Sequence, residues 1–317
     1  ATIELRDQDI QDLVPIGENP VTHLFECYHL PSAWDGTMDP RTIPIPAHEA
    51  DGSIRIDDST GIVLVLLPGG SARIGAQSTN RSGANYSALA NGSHGPVRTV
   101  TIEPFFLARH ELTQGQWARL STWTSIRPRP STYHPDLGVD ESAFTLANPV
   151  ESATWEECAE LLRTHGLSLP SAKQWEYAAR GGTQTGFWCG DDPANLLGNE
   201  NVLDQSVLKV APGMRDMHLA PYDDGHLRHT RIGSFHANPL GLLDMLGNVS
   251  EWCGDVDVQD TITVQPGEKV RTERQDARFS LGGAYSRPPD QCLPSDRFTA
   301  AARDIQRDTG LRVARAL

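Results

Sequence analysis

Residues 247–255, with the sequence GNVSEWCGD, concentrate polar and reactive side chains in one short stretch. The stretch contains the acids Glu251 and Asp255 and the thiol Cys253, and Asp244 lies seven residues before Glu251. Two carboxylates at this spacing, with backbone carbonyls between them, offer the hard oxygen ligands that Ca²⁺ prefers, whereas an acid near a thiol could serve catalysis. These residue types leave three interpretations open: a catalytic site, a metal site and a rigid corner.

The cysteines are five in number, widely spaced, and form no CxxC pair. They are Cys27, Cys158, Cys189, Cys253 and Cys292. An odd, scattered set argues against both a disulfide scaffold and a zinc ribbon, so we expect free thiols in a reducing compartment. Because no signal peptide is visible either, a cytoplasmic location is favoured, with a secreted or surface location as the alternative.

The overall charge excludes two classes of partner. The net charge is −14 with a pI near 5.2, and no basic stripe offsets it, so we expect no binding to nucleic acid. A membrane-spanning helix needs roughly 20 apolar residues, and the best run, GIVLVLLPGG, breaks at Pro68. The 28 Gly and 22 Pro indicate instead an ordered globule with many loops.

Three short helices are predicted by capping boxes. In this motif a hydroxyl and a Gln or Glu three residues later each accept a hydrogen bond from the other's backbone N–H. The hydroxyls here belong to Thr113, Thr154 and Ser171. Gly166 and Gly181 follow the second and third helical patterns, and glycine suits the left-handed conformation that ends many helices.

The distribution of turn-forming residues suggests a small sheet and long loops. The run TGIVLVLLPGGSARIGAQ predicts a β-hairpin, and residues 77–97 predict a long loop. Residues 1–58 are acidic and irregular, so we expect them to form an N-terminal extension that packs on a main domain of residues 59–317. No convincing helix follows residue 183. The predicted class is therefore α+β.

Six phrases, in order, resemble signatures of the formylglycine-generating-enzyme family, also called the sulfatase-modifying-factor family. They are PFFLARHELTQGQW (104–117), NPVESATWEEC (148–158), LSLPSAKQWEYAARGG (167–182), NPLGLLDMLGNVSEWCGD (238–255), LGGAY (281–285) and TGLRVAR (309–315). The resemblance implies a C-type-lectin-like fold with little regular structure. Family members include cysteine oxidases, sulfoxide synthases, modules attached to bacterial kinases, and variable proteins diversified by retroelements, so the fold alone selects no function.

The resemblance implies two calcium sites. The first carries over as the side chains of Asp244 and Glu251 and the backbone carbonyls of Gly247 and Val249. Asp244 stands where the family often has asparagine, and its charge should favour a divalent cation. Without the resemblance, each acid would be assigned to a turn in which it hydrogen-bonds its own backbone.

The second implied site falls on two further loops. It carries over as the side chains of Asn201 and Asp224 and the carbonyls of Val202 and His226. His226 and His229 in HLRH are close in sequence, but no cysteine or carboxylate motif accompanies them, so we do not expect zinc.

The family's oxidase chemistry depends on two thiolates that hold copper(I) and exchange with a substrate cysteine. Counted from Gly283, the family's two positions fall on Arg287 and Cys292, so one thiolate is missing. Ala284 and Ser250 replace a serine and a tryptophan that the family's enzymes favour. We therefore expect no copper site and no catalytic residue, unless Cys292 works with another partner in an oxidase that acts on a protein cysteine.

The leading hypothesis is a non-catalytic, calcium-stabilised ligand-binding module whose surface lies on about residues 280–310. Its exposed-type residues are Tyr285, Arg287, Asp290, Arg297, Phe298, Arg303, Asp304 and Arg307. Tyrosine and arginine are frequent at binding hot spots, although a solvated loop is nearly as good an interpretation. The partner would be a protein or small ligand, bound by a variable protein or by a sensor module of a signalling protein. The sequence carries no signal for subunit number.

Overall fold

A computed structural model describes residues 3, 5–137, 144–256 and 277–317 of the chain. The described residues form three α-helices and three sheets, joined by long loops and short 3₁₀ turns. The helices α1, α2 and α3 span Gln114–Ser121, Trp155–Thr164 and Ala172–Arg180. None of the described helices is long and apolar enough to cross a membrane. The predicted α+β class with little helix is confirmed.

Each predicted capping box is present in the structure. At α2, the Thr154 hydroxyl accepts from the backbone N–H of Glu157 at 3.2 Å, and the Glu157 carboxylate accepts from the N–H of Thr154 at 2.9 Å. The same reciprocal bonds begin α1 and α3. Gly181 has a left-handed φ of +57° and ends α3, as predicted. These helices were predictable because their boundaries are set by contacts within one turn.

The largest sheet has five strands in the order β1, β2, β3, β6 and β11, and all neighbours are antiparallel. These strands span Leu13–Glu18, Phe25–His29, Ile62–Leu67, Phe105–Ala108 and Ala314–Ala316. Every residue of the central strand β3 is buried, because neighbouring strands cover both edges and side chains cover both faces. A strand covered in this way has the uninterrupted apolar sequence that β3 shows.

The second sheet has the order β10, β7, β8 and β9, with β10 parallel to β7. These strands span Thr309–Leu311, Ser250–Val256, Ala277–Leu281 and Arg297–Ala301. Two more strands, β4 over Gly70–Ile74 and β5 over Arg98–Ile102, form an antiparallel ribbon. Strand β7 carries Glu251, and strand β9 with the loops on either side of it carries the predicted ligand-binding residues, so this sheet positions both candidate sites.

The predicted hairpin of β3 and β4 is wrong. Both strands exist, but β3 pairs with β2 and β6, whereas β4 pairs with β5. Since β2 and β6 already occupy both edges of β3, the turn at Gly69 must send β4 to another partner. A Cβ atom at Gly69 would overlap the carbonyl of Ile102, so the glycine also permits the close approach of β5.

The N-terminal extension contributes two strands to the largest sheet. Strand β2 pairs with β3 through the register of Cys27 opposite Leu64. The buried Arg109 joins the extension to the rest of the chain by donating to Glu26 at 3.1 and 3.2 Å and to the carbonyl of Gly52 at 2.8 Å. The boundary expected near residue 58 therefore separates two neighbouring strands of one sheet.

The sheet divides the core into two hydrophobic layers. Val65 and Leu67 of β3 pack in one layer with Trp175 of α3. Leu64, on the opposite face, packs in the other layer with Trp117 of α1 and with residues of α2. Side chains that alternate along a strand point to opposite faces, so a single strand anchors both layers.

The cap of α2 gives a stability prediction. Thr154→Ala should lower the free energy of unfolding by about 1 kcal/mol, because the variant leaves helix N–H groups without their acceptor. Urea denaturation measures this difference. The control is Thr164→Ala at the other end of α2, where the hydroxyl only donates to the Glu160 carbonyl of the same helix. Equal losses in the two variants would contradict the prediction.

Candidate functional site

The thiol of Cys292 lies beneath the glycine pair that precedes the C-terminal loops. Its side chain is completely buried, and a Cβ atom on Gly283 would overlap its sulfur. The thiol donates to the carbonyl of Pro288 at 3.2 Å. Burial raises the pKa of Cys292 well above its usual range, so the sulfur stays protonated near neutral pH. A buried thiol is neither the thiolate that holds copper(I) nor one that attacks a substrate cysteine.

Arg287, at the position of the family's first thiolate, is fixed in place by two contacts. Its guanidinium lies 3.6 Å from the ring centroid of Phe298, and its Nε donates to the Asp308 carboxylate at 3.3 Å. The Ser286 hydroxyl donates to the same carboxylate at 2.7 Å. A cation therefore stands where oxidase chemistry would need a soft anion.

Ser250, at the position where the family favours tryptophan, supports the same glycine pair. It is fully buried, and its hydroxyl lies 2.9 Å from the carbonyl of Gly282 and 3.2 Å from that of Gly283. Its side chain is therefore used to hold the backbone and does not face a substrate.

The first calcium quartet contains a carboxylate that already has a cationic partner. Glu251 accepts three hydrogen bonds from the fully buried Arg312 at 2.7 to 3.0 Å, and one from the Trp175 indole at 2.5 Å. By contrast, Oδ1 of the buried Asp244 has no hydrogen-bond partner in the part of the chain that the structure describes. A cation at this site would therefore find Asp244 available and Glu251 shared with a guanidinium.

Buried carboxyl groups outnumber cations around this loop. Burial raises the pKa of Glu111 well above its usual range, and the nearby charges of Asp244 and Glu251 raise it further. Burial also raises the pKa of Asp244 to about 6 and that of Glu200 to about 8. Arg312 opposes all of these shifts, but it is a single positive charge. A cation that bound here would therefore displace protons from these carboxyl groups.

The second quartet presents unpaired oxygen atoms. Oδ1 of Asn201 and Oδ2 of Asp224 are buried and have no hydrogen-bond partner among the described residues. Burial, with a contribution from the Asp204 charge, raises the pKa of Asp224 to about 7. The backbone of Asn201 lies against Gly247 of the first quartet, where a Cβ atom would come within 2.6 Å of its carbonyl oxygen. The structure thus brings the loops of the two quartets into contact.

The described residues contain no group of three or more His, Cys, Asp or Glu side chains placed to hold a metal ion. That finding does not test the calcium quartets, because each of them relies on two side chains and two backbone carbonyls. The two histidines of HLRH differ in environment, since His226 is exposed and His229 is completely buried.

The predicted ligand-binding residues fall into three groups: four are exposed, three are half-buried and one is buried. The exposed residues are Arg297, Arg303, Asp304 and Arg307, the half-buried ones are Arg287, Asp290 and Phe298, and the buried one is Tyr285. Several of them tie the loops to other elements. Arg303 pairs with Glu156 of α2 at 2.9 Å, and Asp290 lies 3.2 Å from His218.

Tyr285 differs from the expectation that it is exposed. It retains only 7% of its surface, because its ring packs edge-on against Tyr133 and His229 at centroid distances of 6.2 and 6.1 Å. Its hydroxyl donates to the carbonyl of Arg307 at 3.4 Å. Tyr285 is therefore a buried residue that connects the C-terminal loops to the neighbouring rings.

These contacts belong to an aromatic cluster that sequence reasoning missed. We define the cluster as Tyr133, Phe144, His229 and Tyr285, with centroid distances of 5.2 to 6.2 Å between contacting rings. The guanidinium of the exposed Arg228 lies over two rings of the cluster, 5.2 Å from the Tyr133 centroid and 6.0 Å from that of Tyr285. The members come from three distant parts of the chain, so no local pattern could have indicated them.

A buried acid lies below the cluster. Glu151 is completely buried and accepts hydrogen bonds from the Tyr133 backbone N–H at 2.8 Å and from the Ser152 hydroxyl. Its Oε1 lies 4.0 Å from Nε2 of His229, and this nitrogen has no hydrogen-bond partner within the described ranges. Burial raises the pKa of Glu151 to about 7 and lowers that of His229 to about 3. Between about pH 3 and about pH 7, a mainly protonated carboxyl group therefore faces a neutral imidazole.

The adjoining backbone connects this acid to the C-terminal loops. Ser152 has a left-handed φ of +61°, which is strained for a residue with a side chain. Its N–H donates to the carbonyl of Gln306 at 3.1 Å, next to Arg307. Glu151, Ser152 and the cluster thus hold the loop around residue 306 in a fixed position.

Glu151 gives a pH-dependent stability prediction. Because the folded chain keeps a proton at Glu151 that the unfolded chain releases, stability should fall as the pH rises from about 4.5 to about 7, by about 3 kcal/mol. Glu151→Gln stays neutral and should remove this part of the decline. Urea denaturation at about pH 5 and about pH 8 measures the difference, with the exposed Glu103→Gln as control. Parallel profiles for Glu151→Gln and the wild type would contradict the prediction.

Comparisons with known proteins identify the family. The model of the sulfatase-modifying factor enzyme 1-like domain matches residues 57–317. The formylglycine-generating enzyme of Thermomonospora curvata is 25% identical over 300 residues, which cover 82% of this chain and 93% of that enzyme. The serine/threonine-protein kinase pkn1 of Chlamydia caviae is 28% identical over 177 residues, which cover 50% of this chain and 24% of the kinase.

Solved structures are similar in fold. PvdO from Pseudomonas aeruginosa has a TM-score of 0.60 and 21% identity, covering 83% of this chain and 96% of that one. Variable protein 1 of Treponema denticola has a TM-score of 0.54 and 17% identity, covering 81% and 95%. The predicted C-type-lectin-like fold of the formylglycine-generating-enzyme type is confirmed. The chain therefore belongs to the sulfatase-modifying factor enzyme 1-like family, which includes the formylglycine-generating enzymes.

Proposed function

We propose that this chain is a non-catalytic, ligand-binding member of its family. The observation that carries the proposal is the state of the two positions that would hold copper(I). Arg287 is an ion-paired cation, and Cys292 is a buried thiol with a raised pKa. Oxidation of a substrate cysteine needs two accessible thiolates, so the chain lacks the group that would begin the reaction.

The alternative oxidase would need another thiol beside Cys292. Burial raises the pKa of Cys253 well above its usual range and that of Cys189 to about 12. Neither sulfur is therefore a ready thiolate near neutral pH. This supports the binding interpretation over the oxidase.

The proposed binding surface consists of Arg228 and Arg307 above the aromatic cluster. Both arginines are exposed, whereas Glu151 and Tyr285 of the adjoining layer are buried and hydrogen-bonded. A rigid base under exposed arginines lowers the entropic cost of binding, and arginine and tyrosine are enriched at hot spots. Because the two exposed side chains are cationic, we propose a protein or small ligand that presents carboxylate or other anionic groups to them.

Such a surface suits either of two settings. The fold is shared with a variable protein of Treponema denticola, and part of the sequence with a bacterial serine/threonine kinase. In a variable protein, exposed loop residues could change while Glu151, Ser152 and Tyr285 keep the base constant. In a kinase, the same surface would serve as a sensor module.

We also propose that calcium stabilises the module, chiefly at the second quartet. Asn201 and Asp224 would bind the ion through their side chains, and Val202 and His226 through their carbonyls. The unpaired Asn201 and Asp224 oxygens support this assignment, because buried acceptors without donors are costly unless a cation satisfies them. At the first quartet, Asp244 would be the principal ligand, since Arg312 already holds Glu251.

The binding proposal predicts a defined loss of affinity. Ligands are first identified on peptide and glycan arrays. For such a ligand, Arg228→Ala and Arg307→Ala should each weaken binding about tenfold or more, because each removes a hot-spot side chain. The exposed Arg163→Ala on α2 is the matched control. Calorimetry measures the dissociation constants. An array with no ligand, or equal losses in all three variants, would contradict the surface.

A turnover assay tests the absence of catalysis. The protein is incubated with copper(I), oxygen and a cysteine-containing peptide, and mass spectrometry follows the peptide. We expect no oxidation above that caused by copper alone. Turnover by the wild type that disappears in Cys292→Ala would overturn the proposal and restore the oxidase.

Calcium should raise the melting temperature in a saturable manner. A ligand at 100 times its Kd stabilises the folded state by about 2.7 kcal/mol. Asp224→Asn should remove most of this gain, whereas Asp51→Asn in an exposed turn should leave it unchanged. Thermal unfolding with calcium or with a chelator measures the effect. Identical wild-type melting temperatures in the two conditions would contradict both quartets.

A further inference from the structure

A cavity of about 350 Å³ lies between the N-terminal extension and the end of α1. Its walls include two tryptophans, two aspartates, an arginine and a histidine, namely Trp34, Trp123, Asp12, Asp35, Arg119 and His165. The remaining lining residues are mostly apolar or glycine. We call this cavity the indole pocket. Its size is within the range of small-molecule sites, and it shares no residue with the binding surface proposed above.

Two indole rings give the pocket its character. Trp123 has 72% of its surface exposed, although an indole is usually well buried. Its ring lies near the backbone of Gly36, where a Cβ atom would be 3.8 Å away. Trp34 is half-buried, and its Nε1 donates to the carbonyl of Met38 at 2.8 Å, which fixes the ring. Indole faces attract cations through the quadrupole of the ring.

The pocket also has acidic groups at its rim. Asp35 accepts hydrogen bonds from the backbone N–H and the hydroxyl of Thr37 at 2.8 and 2.9 Å. Asp12 has a left-handed φ of +63°, and its carbonyl accepts from the N–H of Leu30 at 3.1 Å, which holds it at the rim. Within the described part of the chain, no hydrogen bond or ion pair engages the Asp12 carboxylate. The Asp12 carboxylate is therefore available to a ligand in the same cavity that the two indoles line.

The basic side chains of the wall are already occupied. Arg119 donates to three backbone carbonyls at 2.6 to 3.0 Å, so its donors point into the protein. His165 donates from Nε2 to the carbonyl of Leu120 at 2.9 Å. These donors are therefore not available to an anionic ligand, and the two carboxylates of the lining outnumber the one guanidinium of Arg119, which favours a cationic ligand.

We propose that the indole pocket binds a small organic cation of the alkylammonium class. The indoles would contact the alkyl groups and the face of the charge, and Asp12 would supply the neutralising carboxylate. A sugar is a poorer occupant, because it needs several free donors and acceptors in the wall. The inference is independent of the ligand bound at the C-terminal loops.

The test compares a cation with its uncharged isostere. Choline and 3,3-dimethylbutan-1-ol have the same shape, and only choline is charged. Tryptophan fluorescence and calorimetry of the full chain should show choline binding with at least about tenfold higher affinity than the alcohol, the increment expected of a cation–π and carboxylate contact. Tetramethylammonium should compete with choline.

Two variants locate the site, and one serves as control. Trp123→Leu and Asp12→Asn should each weaken choline binding about tenfold, because the exposed positions tolerate substitution and each removes one attraction. Asp51→Asn, an exposed acid outside the pocket, should bind as the wild type does. Equal affinity for choline and the alcohol, no binding of choline, or unchanged affinity in both variants would overturn the proposal.

Discussion

The buried ion pair of Arg312 and Glu251 holds the two larger sheets and the loop before β7 together. Arg312 lies between β10 and β11 and also donates to the carbonyls of Ala108 in β6 and Leu243 in the loop before β7. Removing one partner of such a pair leaves an uncompensated charge and costs about 3–5 kcal/mol. The pair also decides how the surrounding carboxyl groups behave, since Arg312 is the cation they share. The packing of the sheets and the charge balance of the loop before β7 therefore depend on the same contact.

The chain keeps the frame of its family while the reactive positions have changed. The glycine pair, the loop that follows it and the buried Cys292 are in place, but Arg287 and Asp308 neutralise each other where a thiolate would stand. The aromatic cluster and Glu151 hold the C-terminal loops in place. Such a division, with a fixed base and exposed arginines above it, is the arrangement expected of a surface selected for recognition.

Local signals were predictable from the sequence, and long-range ones were not. The starts of the helices followed from hydroxyls such as Thr154, because a cap is formed within one turn. The hairpin failed because the partners of β3 are set by β2 and β6, which are distant in sequence. Strand β1 was missed because proline, glycine and a bulge interrupt its alternation, and the five residues FECYH of β2 form no clear alternating pattern. The burial of Tyr285 and the aromatic cluster arise only when three separate loops meet.

The position of β2 has a consequence for where the folding unit begins. The family model starts at residue 57, yet the central strand β3 has one of its edges covered by residues 25–29. A chain that began at residue 57 would expose the unpaired N–H and C=O groups of an all-apolar strand, IVLVLL, to other molecules. Exposed edges of this kind invite intermolecular β-pairing. The segment that the family model matches is thus shorter than the segment that is needed to cover both edges of β3.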